Sequence, residues 1–134
     1  MIDAAPSRLR RAWIGIGWAG VIAVVVLSLI PRPPQLIPVD QADKAEHALA
    51  FGSLMFWFAQ VYLLRRRRLV TAGLLVALGV AIEFAQGETG YRSFEYADMG
   101  ADCAGIFAGW VLAPPRVPNL YTWSERFLLA LSQR

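Results

Sequence analysis

Four long apolar segments, separated by short polar or proline-rich stretches, dominate the pattern of residues along this chain. They cover residues 12–30, 45–64, 69–87 and 96–113. The first contains no charged residue and, at about 1.5 Å per residue, is about 28 Å long, close to the roughly 30 Å hydrocarbon thickness of a bilayer. The pattern predicts an all-α integral membrane bundle of four transmembrane helices that forms one domain over residues 1–134.

The segment after the fourth apolar run also has helical periodicity. Trp123, Phe127, Leu128 and Leu131 are spaced so that they fall on one face of a helix. A helix with one apolar face lies in the plane of the membrane interface. We therefore predict a short C-terminal amphipathic helix on the inner membrane surface, with an anchoring role.

A cleaved signal peptide is the alternative interpretation of the first apolar segment, because three arginines precede it. The segment is longer than the apolar region of a signal peptide, which has about 7–15 residues. It also ends in Pro-Arg-Pro-Pro, without a small-residue cleavage site. These features favour an uncleaved first helix.

The composition agrees with a small membrane protein. The chain is 57% hydrophobic and 17% charged, whereas soluble domains contain about 25% charged residues. The single cysteine, Cys103, excludes an internal disulfide. No second domain is expected in a chain of this length.

The arginines predict the orientation of the helices, because lysine and arginine accumulate in the cytoplasmic loops of membrane proteins. With four spans, three basic groups fall on one side: Arg8, Arg10 and Arg11; Arg65–Arg68; and Arg116, Arg126 and Arg134. Both termini are therefore predicted to be cytoplasmic, and residues 33–40 and 88–95 to face outward. We interpret Arg65–Arg68 as a solvated topology signal, and no nucleic-acid partner is expected.

The same topology gathers unusual polar residues at the outer ends of three helices. These candidate ligand-binding residues are Asp43, Lys44, His47, Glu83, Gln86, Arg92, Asp98 and Asp102. Ionisable residues within membrane segments are costly and are interpreted as functional by default. We expect one shared polar pocket near the outer interface. For Asp43 or Asp98 taken alone, a helix cap or an interfacial charge is an equal alternative.

The fourth apolar segment combines acidic residues with glycines on one face. At about 100° per residue, Asp98, Asp102, Gly105 and Gly109 fall within roughly 60° of one another. Glycines at this spacing allow a neighbouring helix to approach closely. The segment is therefore predicted to pack through Gly105 and Gly109, with both acids directed into the bundle.

These residues and their neighbours form an ordered pattern along the chain. The pattern is Asp43-Lys44-x-x-His47-x-x-x-Phe51, then Glu83-x-x-Gln86, then Arg92, then Asp98-x-x-x-Asp102-x-x-Gly105-x-x-x-Gly109. Over residues 40–112 it resembles the VanZ-like family, whose members often carry Asn where this chain has Asp102. The resemblance implies a small multi-pass protein of the bacterial cytoplasmic (inner) membrane. It also implies a role at the cell envelope connected with glycopeptide antibiotic resistance, since the family is named for its association with teicoplanin resistance.

The function expected from this pocket is the binding of an anionic lipid, a cell-wall precursor or a glycopeptide. Arg92 and Lys44 would contact the anionic group, because guanidinium and ammonium groups donate charge-assisted hydrogen bonds to phosphate or carboxylate. The carboxylates and His47 would orient it. Partners are otherwise the lipid bilayer and a second copy of the chain. No organic cofactor is expected.

Two further hypotheses stay open from the sequence. In the first, a metal-assisted enzyme, a divalent metal or general acid and base catalysis would depend on His47, Glu83, Asp98 and Asp102. The chain contains no HExxH, no GxSxG and no cysteine-rich ligand set. The other hypothesis is a structural network in which Arg92 neutralises the acids and holds the helix ends together.

Overall fold

The computed structural model describes residues 8–34 and 42–132. Within these ranges the chain contains helices and no strand. The elements are α1 (Arg8–Leu29), α2 (Ala42–Val61), α3 (Arg65–Glu88), α4 (Tyr96–Leu112) and α5 (Leu120–Ser132). The predicted all-α class is confirmed. The orientations predicted for Met1, for Arg134 and for most of the 33–40 segment concern residues outside the described part of the chain.

Two of the helices are long and apolar enough to cross a membrane, namely α1 and α3. In the most apolar 18-residue stretch of each helix, only 6% of the residues of α1 and 28% of those of α3 are buried. The core helix of a soluble protein is, in contrast, mostly buried. Helix α2 carries charged residues in its first turns, and α4 has only 17 residues. The structure therefore supports membrane association through two helices, half the number of spans predicted.

Large apolar side chains are exposed on each of the first four helices. Examples are Ile22 on α1 (62% exposed), Leu49 on α2 (61%), Leu74 on α3 (63%) and Phe107 on α4 (72%). Soluble proteins rarely expose contiguous apolar patches of large size. This exterior agrees with membrane association.

Contacts near the helix ends show how the helices alternate in direction. Trp57, near the end of α2, donates a 2.8 Å hydrogen bond to the carbonyl oxygen of Trp13, near the start of α1. Gln86, near the end of α3, donates a 2.8 Å hydrogen bond to the carbonyl oxygen of Ser28, near the end of α1. Helices α1 and α3 therefore run in one direction and α2 in the other.

The two ends of the bundle differ in charge, and we name them accordingly. The acidic end carries Asp43, Lys44, His47, Glu83, Arg92, Asp98 and Asp102. The basic end, opposite to it, carries Arg10, Arg11 and Arg65–Arg68. The candidate site therefore lies at the acidic end, where α2 and α4 begin.

Glycines bring α2 and α4 into backbone contact. A Cβ atom added to Gly105 would overlap the carbonyl oxygen of Ala48. One added to Gly109 would overlap the carbonyl oxygen of Gly52. Both of these glycines are buried, so the predicted close helix contact at Gly105 and Gly109 is confirmed. The pairing also shows that α2 and α4 run parallel.

Helix α5 forms where the C-terminal helix was predicted. The backbone N–H of Leu120 donates a 2.8 Å hydrogen bond to the side-chain oxygen of Gln60, a buried residue at the end of α2. Trp123 and Phe127 are exposed, and their rings stack on each other. The helix is therefore fixed at its start and presents apolar side chains outward.

Arg68 joins α2, α3 and the segment after α4 at the basic end. Its guanidinium donates hydrogen bonds to the carbonyl oxygens of Tyr62 (2.7 Å), Ala59 (2.9 Å) and Pro114 (2.6 Å). The side chain is buried, unlike those of Arg65–Arg67. The interpretation of the whole arginine run as solvated is therefore wrong at Arg68, whose hydrogen bonds satisfy carbonyl groups at the end of α2.

We expect Arg68→Lys to lower the free energy of unfolding by about 2–3 kcal/mol, because one ammonium cannot reproduce three hydrogen bonds of a planar guanidinium. The measurement is thermal unfolding of the purified protein in detergent micelles. Arg66→Lys is the matched control, since Arg66 is exposed in the same run. Equal melting temperatures for the two variants would show that the hydrogen bonds of Arg68 do not stabilise the protein.

Candidate functional site

The α2–α4 contact determines how the candidate site is assembled. Gly105 touches Ala48, the residue after His47, so the first turns of the two helices lie side by side. One turn before Gly105, Asp102 reaches His47 across this contact. Asp98 lies one further turn toward the acidic end. The glycine face thus brings the histidine of α2 to the two acids of α4.

His47 lies between the two aspartates. Its Nδ1 is 2.9 Å from Oδ1 of Asp102, and its Nε2 is 3.9 Å from Oδ2 of Asp98. All three side chains are buried, with at most 7% of their surface exposed. A neutral imidazole that donates its Nδ1 proton to Asp102 leaves the Nε2 lone pair on the side of Asp98.

Asp43 completes a possible ligand set with these residues. One ligand atom from each of Asp43, His47 and Asp98 lies within 4.8 Å of the others. Ligand atoms bind a divalent ion at about 2.0–2.2 Å, so the three side chains would have to turn toward one another to bind one ion together. A carboxylate that accepts the second ring N–H of a ligand histidine is a frequent outer-shell partner in metal sites, and Asp102 lies at that position, 2.9 Å from Nδ1 of His47.

Several carboxylate oxygens in the cluster are buried without a hydrogen bond. Within the part of the chain that the structure describes, Glu83 Oε1 and Asp102 Oδ2 have no hydrogen-bond partner, and Asp98 Oδ1 has only the Lys44 ammonium, 3.4 Å away. Buried polar atoms normally have partners, since an unsatisfied group is costly. Two unpartnered oxygens and a third that has only a long ion pair indicate that this end of the bundle favours positive charge.

The two basic side chains of the cluster already face carboxylates. Lys44 Nζ is 2.9 Å from Oε2 of Glu95 and 3.4 Å from Oδ1 of Asp98. Arg92 Nη2 is 3.5 Å from Oδ1 of Asp43. Their charge is therefore partly neutralised, and an anion would have to compete with carboxylates for either one.

Glu95, in the loop before α4, was missed in the sequence. The hydrogen bond from Lys44 holds the pKa of Glu95 below its usual value, and the Ser93 hydroxyl acts in the same direction. Its backbone N–H donates a 3.0 Å hydrogen bond to Oε2 of Glu83. Glu95 therefore connects the loop to both α2 and α3. Spacing along the sequence gives no sign of this role, because its lysine partner lies 51 residues away.

Gly79 is a second residue missed in the sequence. A Cβ atom at this position would meet the side-chain carboxylate of Asp102. The glycine therefore makes room on α3 for the buried acid. Gly79 lies one turn before Glu83 on the same helix, and this spacing is the one feature of the sequence that could have indicated its role beside the site.

Gln86 stands apart from the candidate pocket. Its side-chain amide donates to the carbonyl oxygen of Ser28 and so joins α3 to α1. Glu83 is fully buried, and its Oε2 accepts the backbone N–H of Glu95. These contacts are structural, whereas Asp43, His47 and Asp98 form the set that can hold an ion.

A cavity of about 120 Å³ opens beside this set. Asp43, Glu46, His47 and Arg92 line it, together with the end of α1. The share of liquid volume taken by one water is about 30 Å³, so the cavity is large enough for an ion with a few waters or a small anionic group. It gives the site an opening at the acidic end.

No protein-family model, curated protein or solved structure matches the chain. Function is therefore inferred from the geometry of the site itself.

Proposed function

We propose that this protein binds a divalent cation through Asp43, His47 and Asp98 at the outer face of a membrane. Through that cation it binds an anionic group of an envelope lipid or a cell-wall precursor. The observation that carries the proposal is the position of His47, which is held by Asp102 on one side and faces Asp98 on the other. Imidazole with carboxylates suits first-row divalent ions such as Zn²⁺ and Mn²⁺.

The charge balance supports a cation as the first ligand, because the carboxylates of the cluster (Asp43, Glu83, Glu95, Asp98 and Asp102) outnumber its two basic side chains, Lys44 and Arg92. Direct binding of an anion by Lys44 and Arg92 is less favourable, because both side chains face carboxylates. An ion with three protein ligands keeps open coordination positions, which phosphate or carboxylate oxygens can fill. Arg92 lines the cavity beside Asp43 and is suited to contact an anion bound there.

The membrane arrangement is part of the same proposal. Helices α1 to α4 form four spans with the acidic end outward and both termini in the cytoplasm of a bacterial cell. The apolar exterior supports the membrane spans, and the arginines at the basic end support the orientation. Helix α5 lies on the inner membrane surface. Membership of the VanZ-like family and a role in glycopeptide resistance stay predictions.

Removing bound metal with a chelator and then adding Zn²⁺ or Mn²⁺ tests the cation site. We expect one ion per chain, measured by native mass spectrometry. At an ion concentration about 100-fold above Kd, the unfolding free energy should rise by about 2.7 kcal/mol. Asp43→Asn should weaken binding, whereas Glu88→Gln, an exposed acid at the same end, should not. Equal ion binding by these two variants, or no ion bound to the wild type, would contradict the cation site.

Inorganic phosphate is the probe for the anionic ligand. We expect phosphate to raise the melting temperature of the ion-loaded protein and to leave that of the chelator-treated protein unchanged. Ion binding without any response to phosphate would support the cation site but contradict the proposal that an anion binds through the cation. Stabilisation by phosphate without the ion would instead favour direct binding by Arg92 and Lys44.

A further inference from the structure

A second cavity, of about 560 Å³, lies between α1, α2 and α3. Its size falls within the range of small-molecule pockets, about 300–1,000 Å³. Apolar side chains such as Trp18, Val21, Leu74 and Leu78 form its body. Arg10 and Arg67 lie at the basic end of this cleft. It is separate from the acidic end and from the ion site.

On both α1 and α3, the residues that line the cleft change from basic at one end to mainly apolar along the rest of its length. It is lined from Arg10 to Val21 on α1 and from Arg67 to Leu78 on α3. Each stretch is about 16 Å long at about 1.5 Å per residue. Half of a hydrocarbon layer of about 30 Å is about 15 Å. The whole cleft, with its charged end, therefore has about the depth of one membrane leaflet, which places the charged end at headgroup level.

The charge at the mouth determines which lipid fits. Arg10 and Arg67 come from different helices but line the same cleft, and the exposed Arg65 and Arg66 add positive charge nearby. Guanidinium groups bind phosphate through paired hydrogen bonds. Anionic lipids of the cytoplasmic leaflet are attracted to basic clusters of this kind. Zwitterionic lipids lack the net charge that complements these arginines.

We propose that this cleft is a binding site for one anionic glycerophospholipid of the leaflet at the basic end. Its phosphate lies between Arg10 and Arg67, and one acyl chain lies against Trp18 and Leu74. The proposal does not depend on the ion site. A bound lipid of this kind fills the gap between α1 and α3 and so stabilises the packing of α1 on the bundle.

Lipid retention in native mass spectrometry tests this site. The full-length protein is purified in micelles that contain equal amounts of phosphatidylglycerol and phosphatidylcholine with identical acyl chains. We expect one retained phosphatidylglycerol per chain. Arg67→Gln should weaken its retention about fivefold, a change typical of removing one basic residue near an anionic surface. Arg66→Gln removes the same charge outside the cleft and should have a smaller effect.

Leu74→Trp provides an independent test, because a larger side chain would occupy the acyl-chain position. We expect this variant to fold and to lose the retained lipid. Equal retention of both lipids, or equal loss in Arg66→Gln and Arg67→Gln, would overturn the proposal. A dimer without lipid that dissociates in Leu74→Trp would show that a second copy of the chain occupies the cleft, and would overturn it as well.

Discussion

Replacing Gly105 with Leu should separate α2 from α4 and lower the free energy of unfolding by at least about 3 kcal/mol, the upper part of the range for overpacking. The reason is that even a Cβ atom at this position would overlap the carbonyl oxygen of Ala48. Backbone cannot move aside as a flexible side chain can, so the two helices would have to move apart. Thermal unfolding in detergent micelles measures the effect.

Ala104→Leu is the matched control for this variant. Ala104 is the preceding residue of α4 and is exposed, so a leucine there adds the same apolar volume without entering the helix contact. Gly105→Ala should give a smaller loss than Gly105→Leu. If Gly105→Leu and Ala104→Leu melt at the same temperature, the close α2–α4 contact does not stabilise the protein.

The loss of this contact should also change the site. His47 precedes Ala48, and Asp102 precedes Gly105 by one turn, so the glycine contact determines the distance from the imidazole to the carboxylate. We therefore expect Gly105→Leu to lose ion binding together with stability. The variant connects the packing of the bundle to the chemistry at its acidic end.

The periodic features of the sequence predicted much of this arrangement. The four apolar segments correspond to α1–α4, and the spacing of Asp98, Asp102, Gly105 and Gly109 predicted one buried face. This works because helical geometry fixes which residues of one helix share a face. The number of membrane spans was predicted less well: of the four apolar segments, α1 and α3 are long and apolar enough to cross a membrane, whereas α2 and α4 carry charged residues in their first turns.

Contacts between distant residues could not be predicted in this way. Arg68 is indistinguishable from Arg65–Arg67 in the sequence, although it alone is buried. Its partners depend on where α2 ends and how the chain leaves α4. Lys44 was predicted to bind an anion, but the fold places Glu95 beside it. The charge pairs seen in the fold therefore changed the proposed ligand. The sequence predicted an anion bound directly, whereas the structure favours a cation through which an anion can bind.

Helix capping alone does not explain the acids at the start of α4. Negative charge is favourable in the first turn of a helix because of the helix dipole, and Asp98 lies in that turn. Asp98 is, however, 2% exposed, and its carboxylate lies beside the Lys44 ammonium and the His47 imidazole. Asp102 lies a turn further into the helix and contacts His47. Burial and contact with a histidine are expected of a binding site and not of a cap.

The role of Asp102 can be separated from that of His47 by measuring Zn²⁺ affinity in single and double variants. We expect Asp102→Asn to weaken Zn²⁺ binding about 10- to 100-fold, as for other outer-shell partners of ligand histidines. His47→Gln removes the nitrogen ligand itself and should weaken binding further. If Asp102 acts only through His47, the double variant should bind Zn²⁺ no more weakly than His47→Gln alone, a non-additive result. Additive losses would make Asp102 a direct ligand. An unchanged Zn²⁺ affinity with lower melting temperatures would show that His47 and Asp102 stabilise the fold without taking part in ion binding.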